Sequence, residues 1–267
     1  MIRVQWSVEP CCRCGRAGRP ATRRGSGPGV EGAALRDSKV RVGGRSAEVE
    51  VAARWVRSYF NESANRAAAA AKRGKPFAYP LYDRMATGSG PDELNDGDFL
   101  APLLLNAGPT MVAVYSLQAV RPVLEAGLAA IPQDLTLQTA VVCDRHWPLF
   151  EGLIGVLDAP ARVPGIGLTK LTKILHRKRP LFVPLFDRQV KACYYSTHAN
   201  YPMHPTPGRP VARFFSTLAA CMTRDLEEQP EQWKVLAAQA SNDVSLLRIL
   251  DVVAWNLGAG SPGPTTP

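Results

Sequence analysis

The chain has few of the features that would assign it an activity at once. No phosphate loop, G-x-S-x-G or H-E-x-x-H pattern occurs among its 267 residues, so nothing points to a P-loop nucleotidase, an α/β-hydrolase or a zinc peptidase. No uncharged apolar run approaches the ~20 residues of a bilayer span. The opening "MIRVQWSVEPCCRCGRAG" has no continuous apolar centre of the secretory kind. These absences predict a soluble, cytoplasmic protein without membrane contact. Strand-like alternation is missing as well, so the fold class expected is all-α. The six cysteines lack the arrangement of a closed metal site. Cys11, Cys12 and Cys14 cluster, with Cys11 and Cys14 at zinc-ligand spacing, but no second pair lies near. Cys143, Cys193 and Cys221 stand apart in apolar surroundings, as reduced buried thiols do. His198 and His204 share a Pro-rich loop at irregular spacing. No metal or other cofactor is expected.

Acidic residues are scarcest where basic ones are densest. The net charge is +9. Residues 1–48 hold ten Lys/Arg against four Asp/Glu, and residues 162–191 hold eight against Asp187 alone. The rest of the body is mildly acidic. The body therefore carries one concentrated positive segment, which suits a polyanion better than diffuse charge would. A solvated basic surface is the plainer account of such a run.

Residues 1–47, rich in Gly, Arg, Ser and Pro without apolar period, are expected to be disordered, and residues 259–267 to form a flexible tail. Residues 48–258 are expected to form a single helical domain. "AEVEVAARWVRSYFNESANRAAAAAKRG" predicts an Ala-rich helix ending at Gly74. "NDGDFLAPLLLNAG" offers Asp96 or Asp98 as an N-cap. "TMVAVYSLQAVRPVLEAGLAAI" predicts a helix bent at Pro122. "DRHWPLFEGLIGVLDA" and "RPVARFFSTLAACMTRDLEEQ" are amphipathic, the second with Val211, Phe214, Phe215 and Leu218 on one stripe. "SNDVSLLRILDVVAWNLGAG" is apolar almost all round and predicts a buried helix capped by Ser241 or Asn242 and stopped at Gly258. Asp251 inside it needs a partner, and Arg248 lies three residues before it.

The basic segment contains "VPGIGLTKLTKIL", Val163 to Leu175. Pro164, then Gly165 and Gly167 around Ile166, predict a tight turn between two helices. The glycines accept positive φ, Ile166 points inward, and the amides that open the second helix have no helical acceptors. Such amides receive anions, a nucleic-acid phosphate among them. Leu168, Leu171 and Leu175 fall on one face, and Lys170, Lys173 and Arg177 on another. The surface expected to grip a DNA or RNA backbone is thus Gly165, Ile166, Gly167, Thr169, Lys170, Lys173 and Arg177, contacts that position a strand without reading its sequence. A turn used only for packing, with its lysines in solvent, is the alternative.

This stretch resembles the helix-hairpin-helix superfamily, and in particular its base-excision DNA glycosylases. In them a "PGVG" hairpin is followed by an apolar segment and an essential aspartate, and Asp187 lies twenty-three residues after Pro164. The resemblance implies a nucleic-acid-binding protein and makes Asp187 the candidate catalytic residue. Its carboxylate would stabilise positive charge on the sugar as an N-glycosidic bond breaks, with the target base flipped from its stack. Thr169 stands where the bifunctional members carry a Schiff-base lysine, so strand-cleaving lyase activity is not expected. The four-cysteine iron–sulfur loop of some members is missing too. Asp187 also opens "DRQVKACYY" and suits a helix N-cap. A protein-interaction domain that keeps the hairpin for packing is a third reading. The combination of "KRPLFVPLFDRQV", "LLLN" and "LLRILDVVAWNLG" resembles a family of uncharacterised actinobacterial proteins, for which no activity is implied.

Overall fold

A computed structural model describes residues 38–71, 76–159 and 163–260. Among its described residues the regular structure is helix, apart from one small sheet and an isolated bridge, as the all-α expectation requires. No described helix is long and apolar enough to cross a membrane.

The sheet is a hairpin of β1 (Lys39–Val42) and β2 (Arg45–Glu48), paired antiparallel with Lys39 opposite Glu48. All of it but Glu48 falls within residues 1–47, the stretch expected to be disordered. Val40 and Val42 point inward and are fully buried, so the ribbon gains a hydrophobic face that isolated hairpins lack. At its turn, Gly43 takes φ +59°, and a Cβ there would stand 2.3 Å from the Cys193 carbonyl oxygen. Arg45 donates to the carbonyls of Ala192 at 3.0 Å and Leu257 at 2.7 Å. The hairpin is therefore a clamp across two helices described below.

The expected Ala-rich helix is two: α1 (Val49–Tyr59) and α2 (Glu62–Ala70). Asn61 ends the first by capping the second, its side chain accepting from Ala64 N at 3.0 Å. After α3 (Leu81–Arg84), α4 (Asp96–Leu100) opens on Asn95, not on an aspartate. Asn95 and Asp98 exchange side-chain and backbone bonds as a capping box. A 3₁₀ turn (Ala101–Leu105) leads to α5 (Met111–Ala129), which runs unbroken past Pro122 with Thr110 as cap. Then come α6 (Leu137–Val142), α7 (His146–Ile154), a 3₁₀ turn (Gly155–Leu157), α8 (Leu168–Lys178), α9 (Arg188–Tyr194), α10 (Val211–Glu228), α11 (Pro230–Ala237) and α12 (Leu246–Ala259).

One hydrophobic core joins these helices. Phe150 of α7 stacks on Phe182 at 4.7 Å between ring centres and meets Phe215 of α10 edge-on at 4.9 Å. In α12, Leu247, Ile249, Leu250, Val252 and Val253 are buried. Ser245, not Ser241 or Asn242, caps this helix, and Gly260 at φ +65° ends it. Gly258 has a different use. A Cβ there would lie 2.2 Å from the Gln189 carbonyl oxygen, so the missing side chain lets α12 lie against the first turn of α9.

Charge is buried along with this core. Arg248 is 2% exposed. Its guanidinium donates to Asp83 at 2.7 Å, to Asp251 at 2.5 Å and to the Tyr59 hydroxyl at 2.6 Å. The expected Arg248–Asp251 pair is present, and Asp83 of α3 completes it. A guanidinium offers five donors in a fixed fork, which is why one residue can tie three helices together. Burial raises the pKa of Asp251 to about 6.

His176 of α8 is also enclosed. Its Nδ1 lies 2.7 Å from the Val183 carbonyl oxygen, and burial lowers its pKa to about 4. In the unfolded chain the ring titrates near ~6.5. The folded state thus refuses a proton that the unfolded state takes, so stability from His176 is complete above pH ~6.5 and falls as the pH drops toward 4. Asp251 opposes this, because its raised pKa lets the folded state hold an extra proton between the ordinary ~3.9 and about 6. Urea unfolding at pH 7 and pH 4.5 separates the two effects. Wild type is expected to lose about 2 kcal/mol more between these pH values than His176→Gln does; equal losses would contradict a neutral, enclosed ring.

Candidate nucleic-acid interface

The second helix of the predicted hairpin, α8, begins at a bare corner. Its N-cap is Gly167, extended at φ −125° and ψ 173°, with no side chain to cap it. The N–H groups of Lys170 and Leu171 both reach the Gly167 carbonyl at 3.1 Å. Those of Leu168 and Thr169 meet no acceptor among the described residues. Gly165 takes φ +73°, and a Cβ on it would come within 3.2 Å of Ala113 in α5. That glycine is required twice, by its backbone angle and by the approach to α5. A Cβ at Gly167 would meet nothing, so its smallness keeps the corner open and seals no contact. Pro164, Gly165 and Gly167 are exposed, while Ile166 packs against the core as expected. The Lys170 ammonium folds back onto the Gly165 carbonyl at 2.8 Å, which fixes a cation beside the free amides.

The expected cationic row does not continue from there. Residues 171–176 are all buried, so α8 has no solvent face through its middle. Lys173, expected to face a phosphate, is 6% exposed. Its Nζ donates to the Leu105 carbonyl at 3.0 Å and lies 3.9 Å from Asp187 Oδ2. Burial lowers its pKa, against the attraction of Asp187 and Asp251. Arg177 donates to the carbonyls of Tyr82 and Met85, with its guanidinium 5.7 Å from the Tyr82 ring centre. Lys178 pairs with Asp98 at 3.1 Å. Arg179, 1% exposed, donates to the carbonyls of Leu128 and Ile131, each at 2.7 Å, and pairs with Asp92. Lys173 and Arg177 therefore leave the expected interface. Helical spacing does put them opposite the leucines, but residues 82–105 cover that side too. Charge density along the chain cannot show where each charge finds its acceptor.

Asp187 is the N-cap of α9. Its Oδ1 accepts from Gln189 N at 2.8 Å and Val190 N at 3.0 Å. The other oxygen, Oδ2, faces Lys173. The side chain is 19% exposed, so it is neither sealed nor freely solvated. Three features hold it in place: Lys173 from α8, Gly258 against the turn it caps, and the β-hairpin tied to Ala192. Asp251, the next carboxylate in this cluster, is raised in pKa partly by the Asp187 charge.

A pocket of about 260 Å³ opens beside the corner and shares Leu168 with it. Phe186, Tyr195 and Phe214 supply its aromatic lining, and Lys191 and Arg209 its cations. Tyr195 follows the basic segment in sequence, and the other four join it only in the fold. They come from three separate segments, with only the Lys191–Tyr195 spacing of one helical turn as a local signal. Its neighbour Tyr194 is fully buried, and Tyr201 packs beside Gly44. His204 Nδ1 meets the Ser196 carbonyl at 2.9 Å. Cys11 and Cys14 lie outside the described residues.

A family model described as "Family of unknown function (DUF6308)" matches residues 52–258. No curated protein and no solved structure matches the chain.

The capping role of Asp187 has a measurable size. Asp187→Ala is expected to lower stability by at least about 1 kcal/mol, the loss of an N-cap with the loss of the charge facing Lys173 added to it, while Asp187→Asn, which keeps an acceptor oxygen, loses less. Chemical denaturation of the three proteins checks this; equal stability of Asp187→Ala and wild type would remove the cap from the account.

Proposed function

The chain belongs to the DUF6308 family of unknown function, and from that premise we propose that it binds the backbone of DNA or RNA at the Gly165–Gly167 corner, in the manner of a helix-hairpin-helix protein. The observation that carries this reading is the pair of amides at Leu168 and Thr169 that meet no acceptor among the described residues, on half-buried residues next to Lys170. A phosphate accepts from both amides at once, and the helix dipole favours its charge. Ile166 glues the turn to the core, so the corner is rigid before a strand arrives. Lys191 and Arg209 extend the positive surface past Leu168, in place of Lys173 and Arg177. Contacts of this kind position a strand and leave its sequence unread.

Asp187 supports a second reading, a monofunctional base-excision enzyme without lyase activity. Capping occupies Oδ1, and Oδ2 is held at 3.9 Å from a lysine whose pKa burial lowers. A carboxylate kept in this position suits the stabilisation of a sugar cation. Release of base from damaged duplexes by wild type, with none from Asp187→Asn, is the outcome this second reading requires.

Binding is tested first, by duplex affinity across a salt series. Each phosphate neutralised contributes ~0.9 to the slope of log affinity against log salt. Lys170→Glu is expected to weaken binding at least about 10-fold and to lower the slope by about one. Lys178→Gln, which alters a cation already paired with Asp98, is expected to leave the slope unchanged. Equal slopes for wild type and Lys170→Glu would reject the corner as the seat of a phosphate.

A further inference from the structure

We infer that the pocket beside the corner takes one unpaired nucleotide, with its base against the aromatic lining and its phosphate at Lys191 and Arg209. The inference rests on the reading above for the source of that nucleotide, a strand whose neighbouring phosphate lies on the amides of Leu168 and Thr169.

The charge of the pocket selects an anion. No carboxylate is among its described lining residues, and neither Lys191 nor Arg209 forms an ion pair among the described residues. Asp158, bonded to Val211 of the lining, is occupied in accepting from Val211 N at 2.6 Å and Ala212 N at 2.9 Å, and Asp187, next to Phe186, caps α9 and faces Lys173. Arg209 is tied by Nη2 to the Thr206 hydroxyl, which orients its guanidinium. Its Nη1 is buried and has no partner. A buried donor without an acceptor costs free energy, and a ligand oxygen placed there removes that cost. Lys191 sits 4.9 Å from the centre of the Tyr195 ring, held by its π face with no carboxylate in contact. Both cations are thus placed and available.

The shape of the lining selects a flat ring. Phe214 lies edge-to-face with Phe186 and also with Tyr195, with ring centres 5.7 Å apart in each case and interplanar angles of 81° and 75°. Phe186 and Tyr195 are therefore both set against Phe214, and these three half-buried rings form the aromatic walls of the pocket. A free phosphate would leave these walls unused, and an uncharged aromatic would leave Arg209 Nη1 unpaired. Only a ligand with both parts answers every group.

Calorimetric titration of the full chain with adenosine monophosphate, adenosine and inorganic phosphate tests this. The monophosphate is expected to bind at least ~5-fold tighter than either part, the lower end of what base–aromatic stacking supplies. Arg209→Gln with Lys191→Gln is expected to bring it to the affinity of adenosine. Tyr195→Leu is expected to bring it to the affinity of phosphate. Both variants should keep the helical circular dichroism and thermal midpoint of wild type, which separates a lost ligand from a lost fold. Phosphate binding as tightly as the monophosphate, or variants without effect, would overturn the proposal. Blunt-duplex binding measured in parallel distinguishes the two readings. Duplex binding without monophosphate binding defeats the pocket alone, and the converse defeats the backbone seat alone.

Discussion

An ammonium group enclosed among helices must find oxygen acceptors, and Lys173 is enclosed to 6% exposure. Left unpaired, it would cost several kcal/mol or lose its proton. It meets the Leu105 carbonyl and faces Asp187, and so links three parts of the chain: the 3₁₀ turn after α4, the middle of α8 and the first turn of α9. Much else depends on this. The Leu105 carbonyl is available because Asn106 turns left-handed at φ 54° directly after it. Asp187 can face Lys173 because its other oxygen fixes the start of α9. The Arg248 cluster lies behind, where Asp251 feels the charges of Lys173 and Asp187 together.

The same constraint redraws the surface. A segment that reads as a positive stripe is mostly internal scaffolding, with Lys173, Arg177, Lys178 and Arg179 each bound to carbonyls or carboxylates. Toward solvent, among the described residues, lie the open corner at Gly167, two amides without acceptors, Lys170 bonded to Gly165, the exposed Arg188, and a pocket with Lys191 and Arg209. A small cluster of preplaced donors serves an anion better than a long row of mobile lysines, because little side-chain entropy is lost when a phosphate arrives. Its strength still depends on ionic strength, since it lies at the protein surface.

Helices were legible in the sequence wherever a cap or an apolar stripe stood alone. Asp187 as a cap, Arg248 as the partner of Asp251 and Ile166 as an inward residue all follow from spacing of one turn or less. Rival caps were harder. Ser241 and Ser245 both precede apolar residues, and only packing decides between them. Asn61 breaks an alanine-rich run that propensity alone would continue. The β-hairpin escaped because four-residue strands with two apolar side chains in one and one in the other leave too short a period to read, and its stability comes from partners such as Cys193 and Leu257, about 150 residues away or more. The destinations of the cations, and a pocket assembled from Phe186, Lys191, Arg209 and Phe214, are tertiary facts with no local signature.

The central claim is that a phosphate sits on the first amides of α8. Backbone amide resonances recorded during titration with a short DNA duplex test it most directly. The account predicts that Leu168 and Thr169 shift first and saturate together, while Lys173 and Arg177 stay where they are. Shifts confined to other surfaces, with Leu168 and Thr169 unmoved at saturation, would contradict it.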